Sequence, residues 1–178
     1  MKRYLTITIF MINAIIMFSQ QNLNIPVPPS GDNELDRIVG YARTLSNFDG
    51  SAKSYSTLKS VINTLNSKGI NKLKKHQSYT VLGDVYMFGA IYLAKENKDD
   101  KTIELYKKAL ELRADPTSNY ELAKIYKNKY DEAIKNNDKN KEKEYGKNVY
   151  TYLSKYILLS GNKNSKYKEV VDYFTKYK

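Results

Sequence analysis

Cysteine is absent from all 178 residues. No disulfide can brace the fold, no thiolate can bind metal or act as a nucleophile, and no lipid can be joined to a cysteine behind a signal segment. Tryptophan is absent too, and histidine occurs once, as His76. A lone histidine without cysteine falls short of a zinc site. A Ser-His-Asp triad would depend on His76, and no Gly-x-Ser-x-Gly elbow accompanies it; the expected place for His76 is the surface or a helix end. No phosphate loop or dinucleotide fingerprint is present. Glycine (8) and proline (4) are scarce, which argues against many tight-turned strands and for long helices.

Tyrosine, by contrast, is abundant at 17 residues, and 30 basic against 19 acidic residues give a formal charge of +11. The basic excess is interspersed with acids, and only Lys74-Lys75 and Lys107-Lys108 form tight pairs within the body of the chain. Such a surface suits solubility or a weak contact with an anionic surface or glycan rather than nucleic acid.

Three segments are distinguishable. Residues 1–20 have the pattern of a secretory signal: Lys2 and Arg3, then a largely apolar run from Leu5 to Phe18, then a polar exit. That run is about 14 residues, short of the ~20 that span a bilayer. Export to the periplasm or the medium is therefore expected, without lipidation. Residues 21–31 carry Pro26, Pro28 and Pro29, which favour an extended arm. Residues 32–178 carry the helical signals.

Asp32 stands where an N-cap belongs, and Leu35, Ile38, Ala42 and Leu45 follow at helical spacing, with Asp49-Gly50 as a stop. Tyr55, Leu58, Ile62 and Leu65 mark a second helix that Lys68-Gly69 ends. The third is expected over residues 72–96, with apolar residues on two faces. Asn97 to Asp100 read as a turn, its two aspartates suiting the positive end of the fourth helix that follows, and the fifth covers 116–134 behind Asp115-Pro116. Residues 136–144 lack apolar side chains and read as a loop or an exposed helical extension. Tyr145, Val149, Tyr152 and Tyr156 stripe a sixth helix, and Tyr167, Val171 and Phe174 a last one.

The segment from Tyr86 to Tyr92 recurs as Tyr120 to Tyr126, 34 residues later, with an aromatic, a small residue and Ile-Tyr in register. With Ala90, Leu93, Tyr106, Ala109 and Pro116, this echo resembles the tetratricopeptide-repeat (TPR) pattern. Thr102 departs from the usual alanine, Pro116 is late, and the resemblance covers about half the chain. It implies an all-α fold of six or seven antiparallel helices in a right-handed TPR-like array. An irregular helical bundle is the alternative.

The resemblance also implies a concave face that binds protein segments, lined by the first helix of each pair. Once core demand is met, Met87, Ile91, Lys124, Lys127 and Tyr130 remain as groove candidates: an apolar strip beside a cationic edge, suited to an acidic or C-terminal carboxylate group. The function expected is that of an exported, non-catalytic scaffold for another protein, with no cofactor and no metal. The alternatives are a binder of an anionic glycan or membrane surface, and a glycan-active enzyme using two carboxylates among Glu96, Asp99, Asp100, Glu104, Asp131 and Glu132.

Overall fold

The computed structural model describes residues 31–45 and 51–161, without the side chains of 52 and 53. The signal segment, all but the last residue of the proline-rich arm, the Asp49-Gly50 stop and the helix expected around Tyr167 lie outside the described residues. The protein is all-α: the described residues form seven helices and no strand. None of these helices is long and apolar enough to cross a membrane. The chain divides into two compact units, with the boundary between Val85 and Tyr86.

Unit 1 begins with α1 (Asn33–Arg43), whose first turn is capped by Asp32: the Leu35 amide donates to its Oδ1 at 3.1 Å. Leu35, Ile38, Ala42 and, just past the helix, Leu45 are buried, as their spacing predicts. The helix ends at Arg43, earlier than the Asp49-Gly50 stop implied. Helix α2 (Ala52–Lys68) buries Leu58, Ile62 and Leu65. It stops at Gly69, whose φ of +75° lies where only glycine sits comfortably. α1 and α2 run antiparallel: Lys68, ending α2, reaches Asp32 (3.1 Å) and Glu34 (2.7 Å) at the start of α1.

The single helix expected over 72–96 is in fact two. Helix α3 (Ile70–Leu73) is one turn long, and α4 starts afresh at Tyr79 and runs to Lys95. His76 sits between them and explains the break. Its ring is buried, 4% exposed, so the surface expectation is corrected. The Ser78 amide donates to Nδ1 at 3.1 Å, which leaves Nε2 as the donor to Asp36 Oδ1, also at 3.1 Å. A ring committed on both nitrogens pins the backbone out of helical register.

In unit 2, α5 (Asp99–Leu112), α6 (Pro116–Lys135) and α7 (Lys139–Ser160) follow α4. The α4–α5 and α6–α7 connections are the same device. Asn97 (φ +55°) and Asn137 (φ +53°) adopt the left-handed conformation that asparagine tolerates. The next amide then bonds back to the helix: Lys98 to the Leu93 carbonyl at 3.3 Å, Asp138 to that of Ala133 at 2.9 Å.

These turns are 40 residues apart, whereas the sequence echo is 34. The difference lies in the helices, since α6 extends further past Tyr126 than α4 does past Tyr92. Residues 139–144 accordingly form the exposed first turns of α7, not a loop. Asp138 caps them through the Lys141 amide at 3.0 Å, and Lys139 pairs with Glu142 at 2.7 Å.

The echoed positions agree in part. Gly89 and Ala123 are both buried, and Ile91 and Ile125 both half-buried, but Tyr86 is 1% exposed while Tyr120 is only half-buried.

Candidate functional site

Six tyrosines of unit 2 gather where α6 and α7 pack. Tyr145, Val149, Tyr152 and Tyr156 share one face of α7, as their i, i+4, i+7, i+11 spacing requires. Opposite them, α6 presents Tyr120, Tyr126 and Tyr130. Tyr126 and Tyr152 stack nearly parallel, centroids 5.8 Å apart at 7°. Tyr145 tilts against Tyr126 at 6.1 Å, and Tyr120 against Tyr156 at 5.2 Å. Aromatic pairs in this range gain about 0.5–1.5 kcal/mol beyond area burial.

Two ammonium groups flank the stack. Lys107, from α5, lies 5.7 Å from the Tyr126 ring centre, and Lys155, from α7, lies 5.8 Å from that of Tyr152. The hydrogen bond to Tyr126 holds the Lys107 pKa above its ordinary value. Burial pushes the Tyr152 phenol up, with Lys107 acting in the opposite sense. Among the described residues neither lysine is in an ion pair with a carboxylate, although Glu144 contributes to the field at Lys107. Both residues are exposed.

The residues singled out from sequence occupy different settings. Met87 is 6% exposed, inside unit 2, and Ile91 is half-buried on α4. Lys124 donates to Glu121 Oε2 at 2.9 Å and rests 5.5 Å above the Tyr120 ring. Lys127 donates to Asp131 Oδ2 at 2.6 Å. Tyr130 turns toward α7, where a Cβ added to Gly146 would stand 3.3 Å from its ring. Lys124, Lys127 and Tyr130 thus share α6, but both lysines are already held by carboxylates of their own helix.

Lys155 was legible as the i+3 neighbour of Tyr152. Lys107 was not, because its partner ring belongs to another helix.

Four of the six candidate acid–base carboxylates are also in lysine pairs. Glu104 meets Lys108 at 2.6 Å, Asp131 meets Lys127, and Asp100 meets Lys129 at 3.1 Å. The Lys98 ammonium holds Glu96 below its usual carboxylate range.

At the α5–α6 corner, Asp115 caps α6 through the Ser118 amide at 2.6 Å and accepts from Arg113 at 3.3 Å. Ser118 Oγ, Asn119 Oδ1 and Glu121 Oε1 are buried there without a hydrogen-bond partner among the described residues. Asn119 and Glu121 lie about 200° apart around the helix, so their oxygens do not converge. Among the described residues no three His, Asp or Glu side chains are grouped to hold a metal ion.

The fold and this face define an all-helical protein with antiparallel helical hairpins, compatible with a helical repeat. The chain matches no family model, and comparison with curated proteins and with solved structures returns no match.

Proposed function

We propose that this chain is an exported, TPR-like scaffold that holds an acidic segment of another protein and performs no chemistry itself. The observation that carries the reading is the pair of exposed ammonium groups, Lys107 and Lys155, beside the Tyr126–Tyr152 stack and in no carboxylate ion pair among the described residues. The buried Tyr126–Tyr152 stack fixes the positions of the two exposed ammonium groups, whose charge adds electrostatic selection for carboxylates. The 34-residue echo supports the repeat, and the basic, apolar, then polar start of the chain supports export. The lysine pairing of Glu96, Asp100, Glu104 and Asp131 supports binding over hydrolysis, since a general acid needs its pKa raised and Glu96 is moved the other way.

The test is titration of the full chain with a glutamate-rich peptide and with its glutamine counterpart, followed by amide NMR. The acidic peptide is expected to shift α5 and α7 resonances and to lose at least about tenfold in affinity on Lys107→Gln/Lys155→Gln. Equal binding of both peptides, or a double variant that binds as wild type does, would overturn the reading. Melting should be unaffected by the double change, because exposed charges contribute little to stability.

A further inference from the structure

Unit 1 carries a cleft of about 300 Å³ between α1 and α2 that the scaffold reading does not use. It exists because α2 places Thr57, Ser60 and Thr64 at i, i+3 and i+7, a stripe of short hydroxyl side chains opposite the longer Arg37 and Tyr41 of α1. The volume lies at the lower end of that found for small-molecule sites.

The chemistry of its wall is uneven. Thr64 donates to the Ser60 carbonyl at 3.3 Å and is satisfied. The Arg37 guanidinium and the hydroxyls of Tyr41, Thr57 and Ser60 have no protein partner among the described residues. Burial pushes the Tyr41 phenol pKa up, so it stays protonated and able to donate. Ile38 and Val61 supply an apolar floor. Glu34 stands at the rim, held by Lys68 at 2.7 Å. Its charge disfavours a dianion such as phosphate more than a single carboxylate.

We infer that this cleft binds a sugar acid, its carboxylate paired with the Arg37 guanidinium, its hydroxyls met by Tyr41, Thr57 and Ser60, and its ring set on Ile38 and Val61. A guanidinium fork matches a carboxylate in two parallel hydrogen bonds, which gives orientation as well as attraction. The hydroxyl row matches a polyol. The site is independent of the face on unit 2, and the acid can arrive free or as a residue within a glycan.

Calorimetric titration of the full chain with sodium D-glucuronate, a galacturonate tetramer, D-glucose and sodium acetate tests the assignment. Glucuronate is expected to bind at least about tenfold more tightly than glucose or acetate. Arg37→Gln is expected to remove about tenfold or more of that affinity, and Ser60→Ala a smaller part, at an unchanged melting temperature. A tetramer that binds more tightly than the monomer supports the site and assigns it to a polymer; a weaker one supports it and assigns it to the free acid. Equal binding of glucose would overturn the role of Arg37, and equal binding of acetate that of the hydroxyls. No binding of either uronate, or binding unchanged in Arg37→Gln, would overturn the site itself. Lys107→Gln/Lys155→Gln must leave uronate binding intact, which separates this result from failure of the scaffold reading.

Discussion

The two units solve the same packing problem with different side chains. Unit 1 is filled by aliphatic residues: Leu35, Leu45, Leu58, Leu65, Leu73 and Leu82 are all buried, and no tyrosine or phenylalanine is among its described buried side chains. Unit 2 buries Tyr86, Phe88, Tyr106, Tyr126, Tyr152 and Tyr156 beside small residues such as Ala90, Ala109, Ala123 and Ala133. Large rings against alanines let backbones approach while keeping hydroxyls near the edge, where lysines reach them. Unit 2 thus has a polar, cationic rim beside its own core, whereas the cleft of unit 1 is lined by Ile38 and Val61 rather than by its buried leucines.

The largest test of that contrast is to perturb each interior in the direction it tolerates least. Leu58→Ala in unit 1 leaves a cavity and is expected to cost about 2–5 kcal/mol. Ala90→Leu in unit 2 overfills a site that is 0% exposed and is expected to cost about 1–3 kcal/mol. Denaturant unfolding measures both. An Ala90→Leu variant as stable as wild type would mean that close packing at that alanine is not what unit 2 relies on.

Alkali should separate the units more gently. Burial raises the Tyr86 phenol to about 12, aided by Glu104 and Glu111, and raises Tyr106 and Tyr152 too; in unit 1 it raises Tyr41. A phenol whose folded pKa is raised binds its proton more tightly in the folded state. Its contribution is complete below pH 10 and is lost as pH climbs from 10 toward 12. Hydrogen exchange near pH 10 and above should therefore rise first in α5–α7. Acid discriminates less: Asp32 in unit 1 and Asp138 in unit 2 are both held low, chiefly by the Leu35 and Lys141 amides they cap. Both caps keep their contribution above the ordinary carboxylate pKa and lose it as pH falls below about 4.

The smallest effect is expected at Gly146. Alanine there gains up to about 1 kcal/mol of helix propensity but must push the Tyr130 ring aside by a few tenths of an ångström. Tyr130 is half-buried and can yield, so the melting temperature should move by only a few degrees. A large destabilisation would show that Tyr130 is fixed and that the α6–α7 seam is tighter than the aromatic stack alone requires.

Most of the helical plan was legible because it rests on local rules. Asp32 and Asp115 cap where sequence places them, Gly69 stops α2, and the stripes of α1, α2 and α7 are buried as spaced except at Tyr55 and Tyr145, which are half-buried. The interruption before Tyr79 was not, since no proline or glycine marks it; it depends on Asp36, forty residues ahead of His76. The site divides on the same line. The carboxylates that engage Lys124 and Lys127 lie three and four residues away, within local reach. The ring beneath Lys107 is supplied by another helix, and no periodicity announces such a contact.

With no tryptophan anywhere, the chain's intrinsic fluorescence and aromatic circular dichroism come from tyrosine and phenylalanine alone. The stacked, lysine-flanked Tyr126 and Tyr152 should dominate the fixed, chiral part of that signal, while unit 1 contributes only Tyr41, Tyr55 and Tyr79 among its described tyrosines, none of them buried. Peptide-bond ellipticity, by contrast, reports helices in both units. The protein thus carries its own two-channel readout, in which unlabelled spectra follow one unit against the whole.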